Sequence, residues 1–489
     1  MHSQSPNRLW IVGLACVVLG GLALRAPAFE RGDFFGYHSW RMGDSAAFTT
    51  NYLAHSLNPF DPRISRYPCS ETGHPFGQVE AELPVVAWLA ALPLAALGAD
   101  FPPAWYLRAI ALLFYIGTCI YLALFVRRLG GSAAEGVLTA AAFSTLPLAV
   151  YFTVSPQPDG PSLFFAVATM FHLDRWIDRW QPRDAVLSAM MGAVVVLLKI
   201  SNGMYLAVAL YLAVNRLGIR GIVQRWSMWA WALAVLAPAG AWYAYSHVTA
   251  PFSFEVYGKI SSFEELRDVA MWEKWAERLP WHSFTWGGLM LAIVGLASQR
   301  GRRVGVVMAW FGAVLLYTAV ALPPQVAHSY YQLPITIPAS MAIAAGVISL
   351  WRRGWAARGV LAITLALHGF VASHVLFGDP ERGNVEVGFF TIDLPHLRRA
   401  AELVREHVPK HELFVQAKKQ PAVVHNSGRR AWTTPGRLPA VLRCMEEGGA
   451  SHALVPAGWR IPPRHGDHSL HVLARKQGHQ VIRRAPAPN

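Results

Sequence analysis

Long apolar runs alternate with short arginine-bearing loops along most of this chain, and that alternation restricts it to a fold of membrane-spanning helices. The runs read at 9–28, 104–126, 134–153, 160–177, 185–200, 203–215, 228–246, 283–298, 304–321, 333–350 and 359–377. In hydrocarbon a backbone must satisfy its N–H and C=O groups within the segment, so about 20 apolar residues in a helix cross the bilayer. Composition agrees with this reading. Only 15% of residues are charged, against roughly a quarter in soluble domains, and the 19 Trp, 24 Phe and 15 Tyr suit aromatic belts at two interfaces. The first run, Leu9 to Leu24, lacks a small-x-small cleavage site and reads as an uncleaved span.

Orientation follows from the loops. Arg127-Arg128, Arg175/Arg179/Arg183, Arg216/Arg220/Arg225, Arg300/Arg302/Arg303 and Arg352/Arg353/Arg358 occupy alternate connections. The opposite connections 154–158 and 322–327 carry no Lys or Arg. The positive-inside rule puts the arginine loops in the cytoplasm. About eleven spans and a cytoplasmic N-terminus then leave the C-terminus outside. The stretch 83–98 is apolar but too short to span, and counting it would invert the alternation, so it is expected to be a re-entrant or interfacial helix on the outer side.

This predicts a membrane module at 1–377 with outer loops 29–103 and 247–282, followed by a small soluble α/β domain at 378–489. The first loop holds an amphipathic helix candidate at 44–56. In the C-terminal domain, helices are expected at Leu394–Val408 and Leu438–Glu447. Strands are expected at Leu413–Gln416, Ala422–His425, Ala453–Pro456 and Leu470–Ala474. Cys16 and Cys119 fall in apolar spans, leaving Cys69 and Cys444 as the pair able to bridge, though four cysteines do not make a disulfide scaffold. The net charge of +14 sits in membrane-flanking loops and the C-terminal domain. Nucleic acid is therefore not an expected partner; the basic C-terminal domain suits an anionic membrane surface or acidic acceptor, or is simply a solvated basic surface.

Ionisable residues beside spans are costly and so are functional candidates by default. The topology gathers several at the outer face: Asp44 in the first loop, Glu82 before the interfacial segment, Arg108 at the start of the second span, Asp159 at the start of the fourth and Lys199 at the end of the fifth. His328, Tyr330, Tyr331 and Gln332 lead into the tenth. Each has a structural alternative. Asp44 and Asp159 could act as helix N-caps, Lys199 and Arg108 could snorkel to headgroups, and His328, Tyr330 and Tyr331 could be interfacial residues.

The string His38-Ser-Trp40-Arg41-Met-Gly-Asp44 resembles the first-loop motif of bacterial polyprenyl-phosphate-sugar-dependent glycosyltransferases of the GT-C class. That class includes the protein O-mannosyltransferases and the lipid A aminoarabinose transferase. Glu82-Leu-Pro84, Pro158-Asp159, Leu198-Lys199 and His328-Ser-Tyr-Tyr-Gln332 resemble later motifs in the same order, so the resemblance covers about residues 8–350. It implies an all-α polytopic membrane protein of GT-C type with a small extracytoplasmic α/β domain, in the bacterial inner membrane. It also implies transfer of a sugar from a polyprenyl-phosphate donor to an extracytoplasmic lipid, glycan or protein. Asp44 is then the candidate base, with Glu82, Arg108, Asp159, Lys199, His328, Tyr330, Tyr331 and Gln332 binding substrate.

A divalent-metal site would need Asp44, Glu82 and His328 to converge, because the chain has no local His/Cys cluster. No Gly-rich loop leads into Lys-Ser/Thr, so no nucleotide cofactor is expected. A secondary transporter is the rival class, but transporter sites lie near mid-membrane between repeated halves. Here the charges favour one face and no twofold repeat is evident.

Overall fold

The computed structural model describes residues 8–72, 76–250, 260–380, 386–434 and 436–486. Residues 251–259 of the expected second outer loop therefore lie outside the described residues. The chain divides into two compact units. The first comprises Met1–Glu30, Arg108–Trp242 and Glu255–Thr391; the second comprises Arg31–Leu107, Tyr243–Phe254 and Ile392–Asn489.

The first unit is helical. Each of the eleven apolar runs is helical, and among the described residues six helices are long and apolar enough to cross a membrane on length and composition. These are Arg8–Glu30, Ala104–Arg128, Ile200–Val223, Arg302–Val320, Ser329–Arg352 and Trp355–Phe377. Others are interrupted or short. The run at 134–153 breaks at Leu146-Pro147 into Ala133–Thr145 and Pro147–Phe152, since proline cannot donate to the preceding turn. Arg25 repairs this break. Fully buried, it lies 3.8 Å from the Tyr115 ring centroid and donates to the carbonyls of Ser144 and Ala149 and to Thr153 Oγ1. The helix Trp286–Ser298 passes so close to Thr336–Arg352 that a Cβ on Gly346 would stand 2.0 Å from the Leu291 carbonyl oxygen.

The arginine loops of this unit are tied to acids on the helix Asp159–Arg179. Asp174, fully buried, accepts from Arg128 at 2.6 Å and from Arg302, with Arg216 3.9 Å away. Thus residues that mark topology in the sequence also fasten three connections together.

The second unit is built on a seven-stranded sheet. Its strands are β1 (Arg66–Pro68), β2 (Leu413–Gln416), β3 (Arg430–Thr433), β4 (His452–Pro456), β5 (Arg464–His465), β6 (His468–Lys476) and β7 (His479–Pro486). Their order is β1-β3-β2-β4-β7-β6-β5. β1, β3, β2 and β4 run parallel, and β7, β6 and β5 extend the sheet antiparallel. The composition shift near 378 places a boundary there, yet the first-loop segment 31–107 shares this unit because it supplies β1. Cys69 and Cys444 are disulfide-bonded, with Cα atoms 5.7 Å apart, and fix β1 to the helix Leu438–Glu447.

One expected strand is corrected. Residues 422–425 lie in a helix, Pro421–Ser427. Its β-branched valines favour a strand locally. Pro421 in its first turn and Gly428 at φ 66° after its end instead supply helix start and stop signals, and the core buries Ala422, Val423 and Val424. The 83–98 segment forms a 12-residue helix, Val85–Ala96, about 18 Å long at 1.5 Å per residue and too short to span.

Candidate active site

In the second unit the first-loop motif forms the start of the helix Ser39–Ala54, several residues earlier than the expected 44–56. His38 precedes it in the left-handed region at φ 55°, its ring 4.1 Å from that of Tyr37. Asp44 therefore lies inside the helix and is not its N-cap. The spacing of four puts Trp40 and Asp44 on one helical face, and both hold Arg66 from β1. Arg66 donates Nε to Asp44 Oδ1 at 3.0 Å and Nη2 to Oδ2 at 2.6 Å, while its guanidinium lies 4.9 Å from the Trp40 ring centroid. Both charged side chains are essentially excluded from solvent. Arg41 stands 3.8 Å from Glu82, the carboxylate before the short apolar helix.

The motif helix is seated by the C-terminal layer. A Cβ on Gly43 would stand 2.6 Å from the backbone nitrogen of Ala422, so the residue before Asp44 must be glycine for the helices 39–54 and 421–427 to approach. Asn51 Nδ2 donates to Ser65 Oγ at 3.0 Å, tying the helix to the segment that leads into β1.

In the first unit a second charged group forms where helices break off. The helix Pro182–Leu198 ends, Lys199 is extended at φ −168° and ψ 123°, and the chain continues as a 3₁₀ turn, Ile200–Met204. Lys199 Nζ donates to Asp159 Oδ1 at 2.8 Å. Asp159 is the first residue of its helix, following Pro158, where the macrodipole favours a carboxylate. Its side chain caps nothing. The ammonium lies 3.8 Å from the Tyr331 ring centroid and 5.2 Å from that of Tyr330. Both members of the ion pair are buried, so Lys199 does not snorkel.

His328 is likewise extended, before the 3₁₀ segment Ser329–Ile335, and stacks on Tyr330 at 5.3 Å and 10°. Gln332 turns elsewhere: its Oε1 accepts from Ser283. Arg108 is buried on the helix Ala104–Arg128. Asp159 Oδ2, the Tyr205 hydroxyl and the side-chain amides of Gln157 and Gln325 are buried without hydrogen-bond partners among the described residues. Such groups are costly, and a polar ligand or ordered water would satisfy them.

Sequence reasoning misses Arg66 and Tyr205. Nothing local distinguishes Arg66 from other loop arginines, and the tyrosine sits in a run dominated by apolar neighbours. Asp44, Glu82 and His328 are a metal set only if they converge, and among the described residues no group of three or more His, Cys, Asp or Glu side chains is arranged to hold a metal. Asp44 instead has both oxygens on Arg66.

Residues 74–242 match the family model of dolichyl-phosphate-mannose-protein mannosyltransferases. Over that stretch the chain is similar to that family, and solved structures share its fold. Two crystal structures of ArnT from Cupriavidus metallidurans share that fold. The form bound to undecaprenyl phosphate has a TM-score of 0.60 at 14% identity, covering 97% of this chain and 98% of ArnT. The apo form gives 0.61 at 12%, covering 98% of each chain. The apo oligosaccharyltransferase of Archaeoglobus fulgidus gives 0.60 at 10% identity, covering 93% of this chain and 70% of its own. No curated protein matches the chain in sequence.

Proposed function

We propose that this protein transfers a sugar from a polyprenyl-phosphate donor to an extracytoplasmic acceptor in a single inverting displacement. The observation that carries the reading is Lys199: a buried ammonium against two tyrosine faces, beside a carboxylate with one unpartnered oxygen, in a GT-C fold. Phosphate is already a good leaving group, so the demand is to stabilise the charge that builds on it as the glycosidic bond breaks. A fixed cation in a water-poor setting does this well. In this reading Lys199 contacts the donor phosphate and Asp159 orients it. Arg108, Tyr330, Tyr331 and His328 bind donor phosphate or sugar, while Gln332, engaged by Ser283, supports the segment that carries the tyrosines.

The acceptor hydroxyl must lose its proton as it attacks, and Asp44 is the proposed base. A carboxylate offers about four lone-pair directions, so bidentate pairing to Arg66 leaves acceptor capacity on both oxygens. Arg66 fixes the carboxylate's orientation, and Glu82 binds sugar hydroxyls. ArnT bound to undecaprenyl phosphate and the Archaeoglobus fulgidus oligosaccharyltransferase AglB bound to dolichol-phosphate support a lipid-phosphate donor. The arginine loops support a cytoplasmic N-terminus and an extracytoplasmic C-terminal domain in the bacterial inner membrane.

The test is turnover of a panel of polyprenyl-phosphate sugars by the full chain in lipid nanodiscs. Sugar release or transfer should fall in both Asp44→Asn and Lys199→Ala. Equal turnover in wild type and both variants would overturn the assignment.

A further inference from the structure

A cavity of about 570 Å³ lies wholly within the second unit, between the end of the motif helix and the loops flanking the helix Pro421–Ser427. Its lining carries four cations, Arg405, Lys410, Arg429 and Arg430, and a single carboxylate, Asp100. Asp100 is already paired to Lys410 at 2.7 Å. Among the described residues no carboxylate lies within ion-pair distance of Arg405, Arg429 or Arg430. Backbone carbonyls and a histidine hold them instead. Arg429 donates to the carbonyls of Val408 at 2.8 Å and Arg405 at 3.1 Å, and Arg405 donates to that of Asn426. Arg430 Nη1 lies 3.2 Å from His55 Nε2. Burial, then the neighbouring like charge, lowers the proton affinity of both Arg429 and Arg430.

A second observation is independent of the charges. His425 also lines the cavity and is 3% exposed. It stacks on Phe101 with centroids 5.0 Å apart, and its buried Nδ1 has no hydrogen-bond partner. A buried ring nitrogen left unpaired on a residue that lines a cationic cavity is an unmet hydrogen bond at the cavity wall.

We infer that this cavity binds a phosphate group, presented as a phosphate monoester or diester. Planar guanidinium forks match phosphate oxygens, and three of them without counter-charge suit the several anionic oxygens of a phosphate mono- or diester better than a single carboxylate. His425 supplies the neutral donor or acceptor that a phosphate oxygen or ester hydroxyl would meet. The volume leaves room for a sugar-sized group beside the phosphate. Nothing in the proposed chemistry of Asp44 and Lys199 requires this site, so it stands apart from that reading.

The experiment titrates the full chain in phosphatidylcholine nanodiscs with inorganic phosphate and with glucose 1-phosphate, by calorimetry. Saturable binding is expected in wild type and in Lys199→Ala. In Arg430→Gln and in His425→Leu it should weaken, by about tenfold or more for the lost charged contact. Lys410→Gln, at an exposed ion pair, gives the same reading if either of these fails to fold. Repeating the titration in phosphatidylglycerol discs separates the sources. Competition seen in wild type and absent in Arg430→Gln identifies a lipid headgroup; unchanged affinity identifies a soluble phosphate ester. Absence of saturable binding, or binding lost in Lys199→Ala and intact in the cavity variants, would overturn the inference.

Discussion

Neutralising Lys199 and Asp159 singly and then together separates what holds the fold from what acts on the donor. The pair is buried, its N–O distance is 2.8 Å, and the ammonium also lies on two tyrosine faces. Lys199→Met strands a buried carboxylate and Asp159→Asn a buried ammonium, and breaking one side of such a pair costs about 3–5 kcal/mol. Replacing both at once removes the stranded charge. The double variant should return to within about 1–2 kcal/mol of wild type, because buried pairs are often close to neutral against uncharged substitutes. Turnover should not follow stability. If Lys199 stabilises the leaving phosphate, its loss costs about 10²–10³ in rate whether or not Asp159 is also neutral. The assay is apparent unfolding temperature in nanodiscs alongside single-turnover sugar release from a polyprenyl-phosphate sugar. A double variant that recovers both stability and turnover would show the pair to be scaffold alone and refute the reasoning.

Three further outcomes are expected. Arg66→Leu leaves Asp44 buried without its bidentate partner, so stability should fall by about 3–5 kcal/mol, and Arg66→Leu with Asp44→Asn should restore most of that loss without restoring activity. Reducing Cys69–Cys444, or Cys69→Ser, should cost about 2–5 kcal/mol, read as a lowered unfolding temperature; no shift on reduction would show that strand pairing alone holds β1. Burial lowers the pKa of His425 from 6.5 to about 3, so between these values the unfolded chain binds a proton that the folded chain does not. Its stability contribution is complete above about pH 6.5 and is lost as pH falls, by at most about 1.4 kcal/mol per pH unit. An unfolding profile over pH 4–7 should therefore flatten in His425→Leu, and an unchanged slope would count against this assignment.

Much of the candidate site is legible in the order of residues alone. The Trp40–Asp44 spacing, Pro158-Asp159 and Lys199 at the end of an apolar run are local patterns, and the ion pair and the tyrosine faces follow them. Arg66 is not legible, because its partner lies 22 residues earlier and meets it only once β1 has joined the sheet. The helix at 421–427 escapes a local reading for a related reason. Ala-Val-Val-His has the composition of a strand, and its apolar face is buried as a helix by packing that a short window does not contain. The Cys69–Cys444 bridge can be named only by elimination, since its ends are 375 positions apart.

By itself the sequence determined the membrane module and its basic loops, because hydrocarbon permits few ways to satisfy a backbone and their mark is carried in consecutive residues. It also determined two helices of the C-terminal segment, 395–407 and 438–447, and the strands β2, β4 and β6, whose periodicity is likewise local. Tertiary structure alone decided that residues 31–107 and 392–489 form one unit, that Arg66 holds Asp44, and that three arginines without carboxylates line one cavity with an unpaired histidine. Those facts depend on distant segments meeting. Strand pairing, close helix packing and ion pairing fix such meetings through geometry and burial, and neither quantity is written in neighbouring residues.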